Sequence, residues 1–103
     1  MDRAMTDAVT LLLGQWHEVE REDWEKRYEN LDFDTFDSKV AKERKKWVCL
    51  DAGPDGRESG VFMLDKTTLL VYRVKGYGVP HLQKCVGKMG EITGAVLAQR
   101  RHW

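Results

Sequence analysis

The sequence predicts an α+β domain. An N-terminal helical part packs on one face of an antiparallel β-meander of three to four strands, and a short C-terminal helix closes it. Three observations carry this prediction. Apolar residues recur at helical spacing near the start of the chain. From Trp47 onward the period shortens to that of strands, with tight-turn chemistry between the runs. At 103 residues the chain holds one core and has no room for a second. The expected layout is a single domain over residues 1–103: 1–45 mostly helical and acidic, 46–88 a basic β-meander, and 89–103 a terminal helix.

Val9, Leu12, Leu13 and Trp16 follow the i, i+3, i+4, i+7 rule, and Met5 lies one turn earlier. Asp2 or Thr6 is the expected N-cap. Gly14 weakens this helix by about 1 kcal/mol relative to Ala without forbidding it. Trp24, Tyr28 and Leu31 fit one side of a second short helix capped by Asp23. Phe36 and Val40 fit a third, beginning near Asp34 or Thr35. Its end would lie at the cationic run 41–46, where the helix dipole favours positive charge.

Trp47-Val48-Cys49-Leu50 begins the meander. Ala52-Gly53-Pro54-Asp55-Gly56 is a turn, because Pro presets φ and Gly supplies positive φ. Gly60-Val61-Phe62-Met63-Leu64 is the second strand, and Asp65-Lys66-Thr67-Thr68 a tight connection. Leu69 to Lys75 forms the third strand, with Leu70, Tyr72 and Val74 on one face and Arg73 and Lys75 on the other. Gly76-Tyr77-Gly78-Val79-Pro80 breaks the pattern. Lys84-Cys85-Val86-Gly87 then reads as a fourth strand. Leu82, Cys85, Val86, Met89 and Ile92 also fit the face of a helix begun at Pro80, but Gly87, Gly90 and Gly94 argue against it. The terminal helix is expected from about Gly90 to Arg101. The core is expected to draw on Val9, Leu12, Leu13, Trp16, Trp47, Cys49, Val61, Met63, Leu70, Tyr72, Val74, Val96 and Leu97.

Composition narrows the function classes. Apolar residues make up 42% and charged residues 33%, a globular balance. No run approaches the roughly 20 apolar residues of a membrane span, and residues 11–13 are too short for a leader core. The chain therefore reads as cytoplasmic, with no membrane partner. Cys49 and Cys85 lie outside any CxxC motif and read as small buried hydrophobes, with a disulfide between them as the alternative. His17, His81 and His102 lack ligand spacing, and nothing resembles a nucleophile with an oriented base. The sequence shows no catalytic, metal-binding or cofactor-binding motif, and no cofactor is expected. Gly76-Tyr77-Gly78 is a weak phosphate-loop signal, since Val79-Pro80 interrupts the helix start such a loop needs.

The net charge is zero, yet the halves differ. Residues 1–40 carry 11 acids against 5 bases, and residues 41–103 carry 12 bases against 6 acids. Two surfaces follow. One is acidic and bears rings: Glu18, Glu22, Asp23, Trp24, Glu25, Tyr28, Glu29 and Asp32, with Phe33 and Phe36 as further rings. Carboxylates on a helix can imitate a nucleic-acid backbone and occupy a basic groove on a larger machine, steered by electrostatics and anchored by aromatics. Against this stands the reading that the rings anchor helices to the sheet while the acids pair with the basic half. The other surface is basic: Lys42, Arg44, Lys45, Lys46, Arg73, Lys75, Tyr77 and Lys84, an arrangement suited to a nucleic-acid backbone with a ring for base stacking. The competing reading there is an ordinary solvated face, and a pI near 6.8 falls short of a dedicated nucleic-acid binder.

The segment Ser59-Gly60-Val61-Phe62-Met63-Leu64-Asp65-Lys66-Thr67-Thr68, continuing Val71-Tyr72-Arg73-Val74-Lys75-Gly76-Tyr77-Gly78-Val79-Pro80, resembles small uncharacterised domains encoded by phages and other mobile elements. The resemblance covers about a fifth of the chain. It implies strand, turn, strand and glycine loop, and carries no active site, so no residue role is transferred. It also implies an accessory protein acting in the host cell, a binder of a host protein or nucleoprotein complex, host-defence systems included. The leading expectation is therefore a non-catalytic protein-binding module, an inhibitor or modulator acting through the acidic surface. A nucleic-acid-binding accessory protein is the alternative, and a self-associating structural protein built on the surplus of aromatics is the third.

Overall fold

A computed structural model describes residues 1–54 and 58–103. Eight elements follow in order: α1 (Arg3–Arg27), α2 (Phe33–Phe36), β1 (Ser38–Glu43), β2 (Trp47–Gly53), β3 (Ser59–Asp65), β4 (Leu70–Gly76), β5 (Val79–Lys88) and α3 (Gly94–Arg100). The five strands form one antiparallel meander in sequence order. The α+β class, the packed helical part and the closing helix are as expected. The sheet has one strand more than the three or four predicted.

The additional strand comes from the region read as helical. α1 is one helix of 25 residues, not two shorter ones. Asp2 caps it, accepting from the Met5 N–H at 2.8 Å. No proline interrupts it, and the acids around the expected break, Glu22, Asp23 and Glu25, face solvent along an unbroken helix, while Glu20 turns inward. Asp23, expected as a cap, therefore sits inside α1, as does Trp24, with Tyr28 at its C-cap. The predicted third helix is reduced to the single turn α2. Val40 and the run behind it form β1, which pairs with β2 from Ser38 opposite Gly53 to Glu43 opposite Val48. Pairing with a buried neighbour overrides a weak helical pattern.

The helices all pack on one face of the sheet. Val9, Leu12 and Trp16 of α1 and Leu97 of α3 meet Val48, Leu50, Ala52, Phe62, Leu64 and Val71. Trp16 stands edge-on to Phe62, with ring centroids 5.2 Å apart. α1 and α3 approach closely at Gly94, where a Cβ would overlap the backbone of Gln15 and Trp16. This packing corrects the face assignment of β4. Val71 is fully buried under the helices and Arg73 lies over the Phe62 ring, whereas Leu70, Tyr72 and Val74 occupy the opposite face and are only half-buried. Trp47, Leu13 and Val96 are likewise half-buried rather than core.

The β4–β5 connection is a hairpin at Tyr77-Gly78, where Gly78 supplies φ 77°. β5 runs from Val79 to Lys88, longer than the strand expected at 84–87, and excludes the helical alternative there. The terminal helix starts at Gly94, four residues later than expected. Cys49 is buried, but Cys85 is exposed, and both are free thiols. The turn expected at 52–56 lies partly outside the described residues; β2 itself reaches Gly53.

Candidate partner-binding surfaces

The C-terminal half of α1 carries the first surface. Glu18, Glu22 and Glu25 lie at i, i+4 and i+7 on one stripe of α1, and Glu29 continues the spacing in the turn beyond it. Trp24 packs against Tyr28 (centroids 4.4 Å apart), Phe36 (5.2 Å) and Phe33 (5.7 Å), and its indole N–H donates to the Leu31 carbonyl at 3.1 Å. Asp32 caps α2 through the Asp34 N–H. The turn 28–32 is thereby folded back onto α1. Phe33 is buried beneath His17, so it and Trp24 serve as anchors. Tyr28, Leu31 and Phe36 remain 45%, 47% and 46% exposed. A groove of about 810 Å³ runs beside them between α1, α2 and α3, lined among others by Glu22, Trp24, Phe36 and Ala98.

The acids divide into two groups. Glu20 and Asp37 are neutralised internally. Lys39, whose side chain is only 3% exposed, pairs with Glu20 at 2.7 Å and with Asp37. Arg101 reaches the same two carboxylates at 2.8 and 3.0 Å. Burial works to lower the Arg101 pKa, but hydrogen bonds and Coulomb attraction from Asp37 and Glu20 outweigh it and leave it raised. Asp34 bridges Arg21 and His17, both at 2.7 Å, and is held below the usual carboxylate range by Arg21 first and His17 second. Glu18 is also taken, by Arg21 at 2.5 Å. Asp23 has only the exposed i, i+4 pair with Arg27. Glu22, Glu25 and Glu29 are exposed and form no ion pair among the described residues. The two charged halves thus interlock at one seam and leave an acidic tip open.

The predicted basic surface is split by the fold. Arg73 turns to the helix side and donates to the Val61 carbonyl at 2.6 Å, and burial, with Arg101 nearby, lowers its pKa. Lys84 donates to the Trp103 carbonyl near the C-terminus. Lys75 is exposed at the end of β4. Lys42, Arg44, Lys45 and Lys46 instead gather at the β1–β2 hairpin, and Tyr77 joins them from the β4–β5 turn. Trp47 and Tyr72, which charge and motif reasoning passed over, lie on the same face with centroids 5.9 Å apart. Strand parity through the register was the signal for them. No comparable signal marked Leu31.

The fold is thus a one-sided α+β sandwich with an acidic, ring-bearing end and a sheet face that, among the described residues, no helix covers. Comparison with protein-family models, curated proteins and solved structures finds no match. Among the described residues no helix is long and apolar enough to cross a membrane, and no three His, Cys, Asp or Glu side chains converge as a metal site would require.

Proposed function

We propose that this protein is a non-catalytic binding module whose acidic tip captures a basic surface on a protein partner. The observation that carries the reading is the juxtaposition of exposed Tyr28, Leu31 and Phe36 with the unpaired carboxylates Glu22, Glu25 and Glu29. Large rings rimmed by one sign of charge supply both a desolvated anchor and long-range steering. Trp24 fixes the geometry from beneath, which lowers the entropy lost on binding. Asp23 adds to the charge. Asp32 holds the turn through its capping bonds, and Glu18 keeps Arg21 in place.

The likeness of residues 59–80 to domains of phages and mobile elements supports the finer reading. In it the partner is a host protein or nucleoprotein complex and the outcome is inhibition or modulation, including of host defence. The test is affinity capture from a nuclease-treated lysate of the cognate host. A basic protein should be retained by the wild type and lost by the quadruple charge reversal of Glu22, Asp23, Glu25 and Glu29, with the circular dichroism unchanged. Equal capture by both proteins refutes the acidic tip as the binding surface.

A further inference from the structure

The face of the sheet opposite the helices is composed differently from an ordinary solvated face. Antiparallel sheets commonly expose one side, and that side is normally polar. Here the register places Cys49 opposite Met63, Met63 opposite Tyr72, and Tyr72 opposite Cys85, with Trp47 and Val74 on the same side. Tyr77 folds over its end. A Cβ on Gly60 would lie 3.2 Å from the Tyr77 ring, so the absence of a side chain there is what seats the ring. Among the described residues no helix covers this face; Cys49 and Met63 are buried within it, and it carries the half-buried rings of Trp47 and Tyr72 and the exposed ring of Tyr77.

The charge around these rings is one-sided. Among the described residues the acids on or beside this face are Asp51, Asp65 and Glu58, and all three serve the fold: Glu58 accepts from the Ser38 hydroxyl at 2.5 Å. Asp51 is fully buried, with Lys42 at 3.4 Å and the Tyr77 hydroxyl at 3.5 Å. Asp65 accepts from the N–H groups of Thr67 and Thr68. The cations are not matched. Arg44, Lys45 and Lys46 are exposed and form no ion pair among the described residues. The Lys46 ammonium lies 5.8 Å from the Trp47 ring centre, and the Lys42 ammonium 5.9 Å from that of Tyr77. Arg44 lies near Tyr77 and Cys49, and its pKa is raised by Tyr77 first and Cys49 second.

We infer that this open face binds a single-stranded nucleic acid. Trp47, Tyr72 and Tyr77 act as stacking platforms, and Arg44, Lys45 and Lys46 contact the phosphates. Stacking accepts any base, because every base has a π-face, so the binding is expected to be sequence-tolerant. A base arriving on Trp47 displaces the Lys46 ammonium onto the adjoining phosphate, a stronger partner for it than the ring, whereas Lys42 stays with the buried Asp51. A duplex keeps its bases inward and offers these rings nothing. The surface is distinct from the acidic tip and does not depend on it. Arg73 and Lys84 take no part, since both lie on the helix side.

The test is fluorescence anisotropy of the full chain with a labelled mixed-sequence single-stranded DNA, the same sequence as RNA, and the corresponding duplex. Binding of either single strand in preference to the duplex is expected, with a log–log salt slope of about −2 for three phosphate contacts. The Arg44→Glu, Lys46→Glu double variant, altered only in an exposed hairpin, should reduce the slope to shallower than about −1. Tyr77→Ala should weaken binding about tenfold. Glu22→Lys with Glu25→Lys should leave it no weaker. No binding to either strand at about 50 mM salt overturns the inference. So does equal affinity for duplex, indifference to the hairpin variant, or sedimentation equilibrium showing the face closed in a dimer.

Discussion

Lys39 illustrates how context sets the worth of a charge. It sits between Glu20 and Asp37, with its ammonium 5.0 Å from the Trp16 ring centre and 5.2 Å from that of Phe33. Removing it would leave two nearly buried carboxylates sharing Arg101 alone. Lys39→Met is therefore expected to destabilise the protein by about 3 kcal/mol, read from urea denaturation. Arg3→Ala, which breaks an exposed pair with Asp7, should leave the midpoint unchanged. Gly94 acts through space rather than charge. Because any Cβ there would meet the Gln15–Trp16 backbone, Gly94→Ala forces α1 and α3 apart and should cost about 2 kcal/mol by the same measurement.

At the scale of elements, α1 combines two roles. Its first half packs on the sheet through Val9, Leu12 and Trp16, and its second half presents the acidic stripe. Carboxylates spaced i, i+3 and i, i+4 repel one another and weaken the helix that bears them. Glu22→Gln with Glu25→Gln is accordingly expected to raise the thermal midpoint by about 2 °C while reducing capture of the protein partner. A midpoint that falls instead would mean that these acids stabilise the fold, the reading in which they pair with the basic half. β1 supports both surfaces. Lys39 and Ala41 face the helices, while Lys42 faces Asp51 and carries the chain into the cationic hairpin.

For the whole molecule, acid is the informative perturbation. Asp34, Glu43, Glu58 and Asp65 all have lowered pKa values. Glu43 is the most displaced, brought to about 2 by Lys66 first and the amino group of Met1 second. A carboxylate lowered in the folded state binds its proton more readily when unfolded. Its contribution is therefore complete above the unfolded value, 4.5 for Glu43, and is lost as pH falls toward about 2. Stability should drop across that window, and Glu43→Gln should make the drop shallower in urea titrations at successive pH values.

Local pattern alone determined the helix at the start, the meander, the closing helix and the separation of charge, because each is written in the spacing of apolar residues or in plain composition. Composition also marked Glu22, Glu25 and Glu29 as part of an acidic surface, but that Glu22 and Glu25 share one helical stripe followed only from α1 running unbroken to Arg27. Three-dimensional packing decided the remainder. Alternation along β4 separates Val71 and Arg73 from Tyr72 and Val74, but only the side on which α1 docks makes the first pair inner and the second outer. The burial of Lys39 needed Glu20, Asp37 and Arg101, brought together from α1, the α2 cap and the end of α3. The run at 41–46 became strand and hairpin because β2 offered it a partner. Faces and ion-pair networks are properties of elements in contact, and contact between distant parts of a chain leaves no local signature in its spacing.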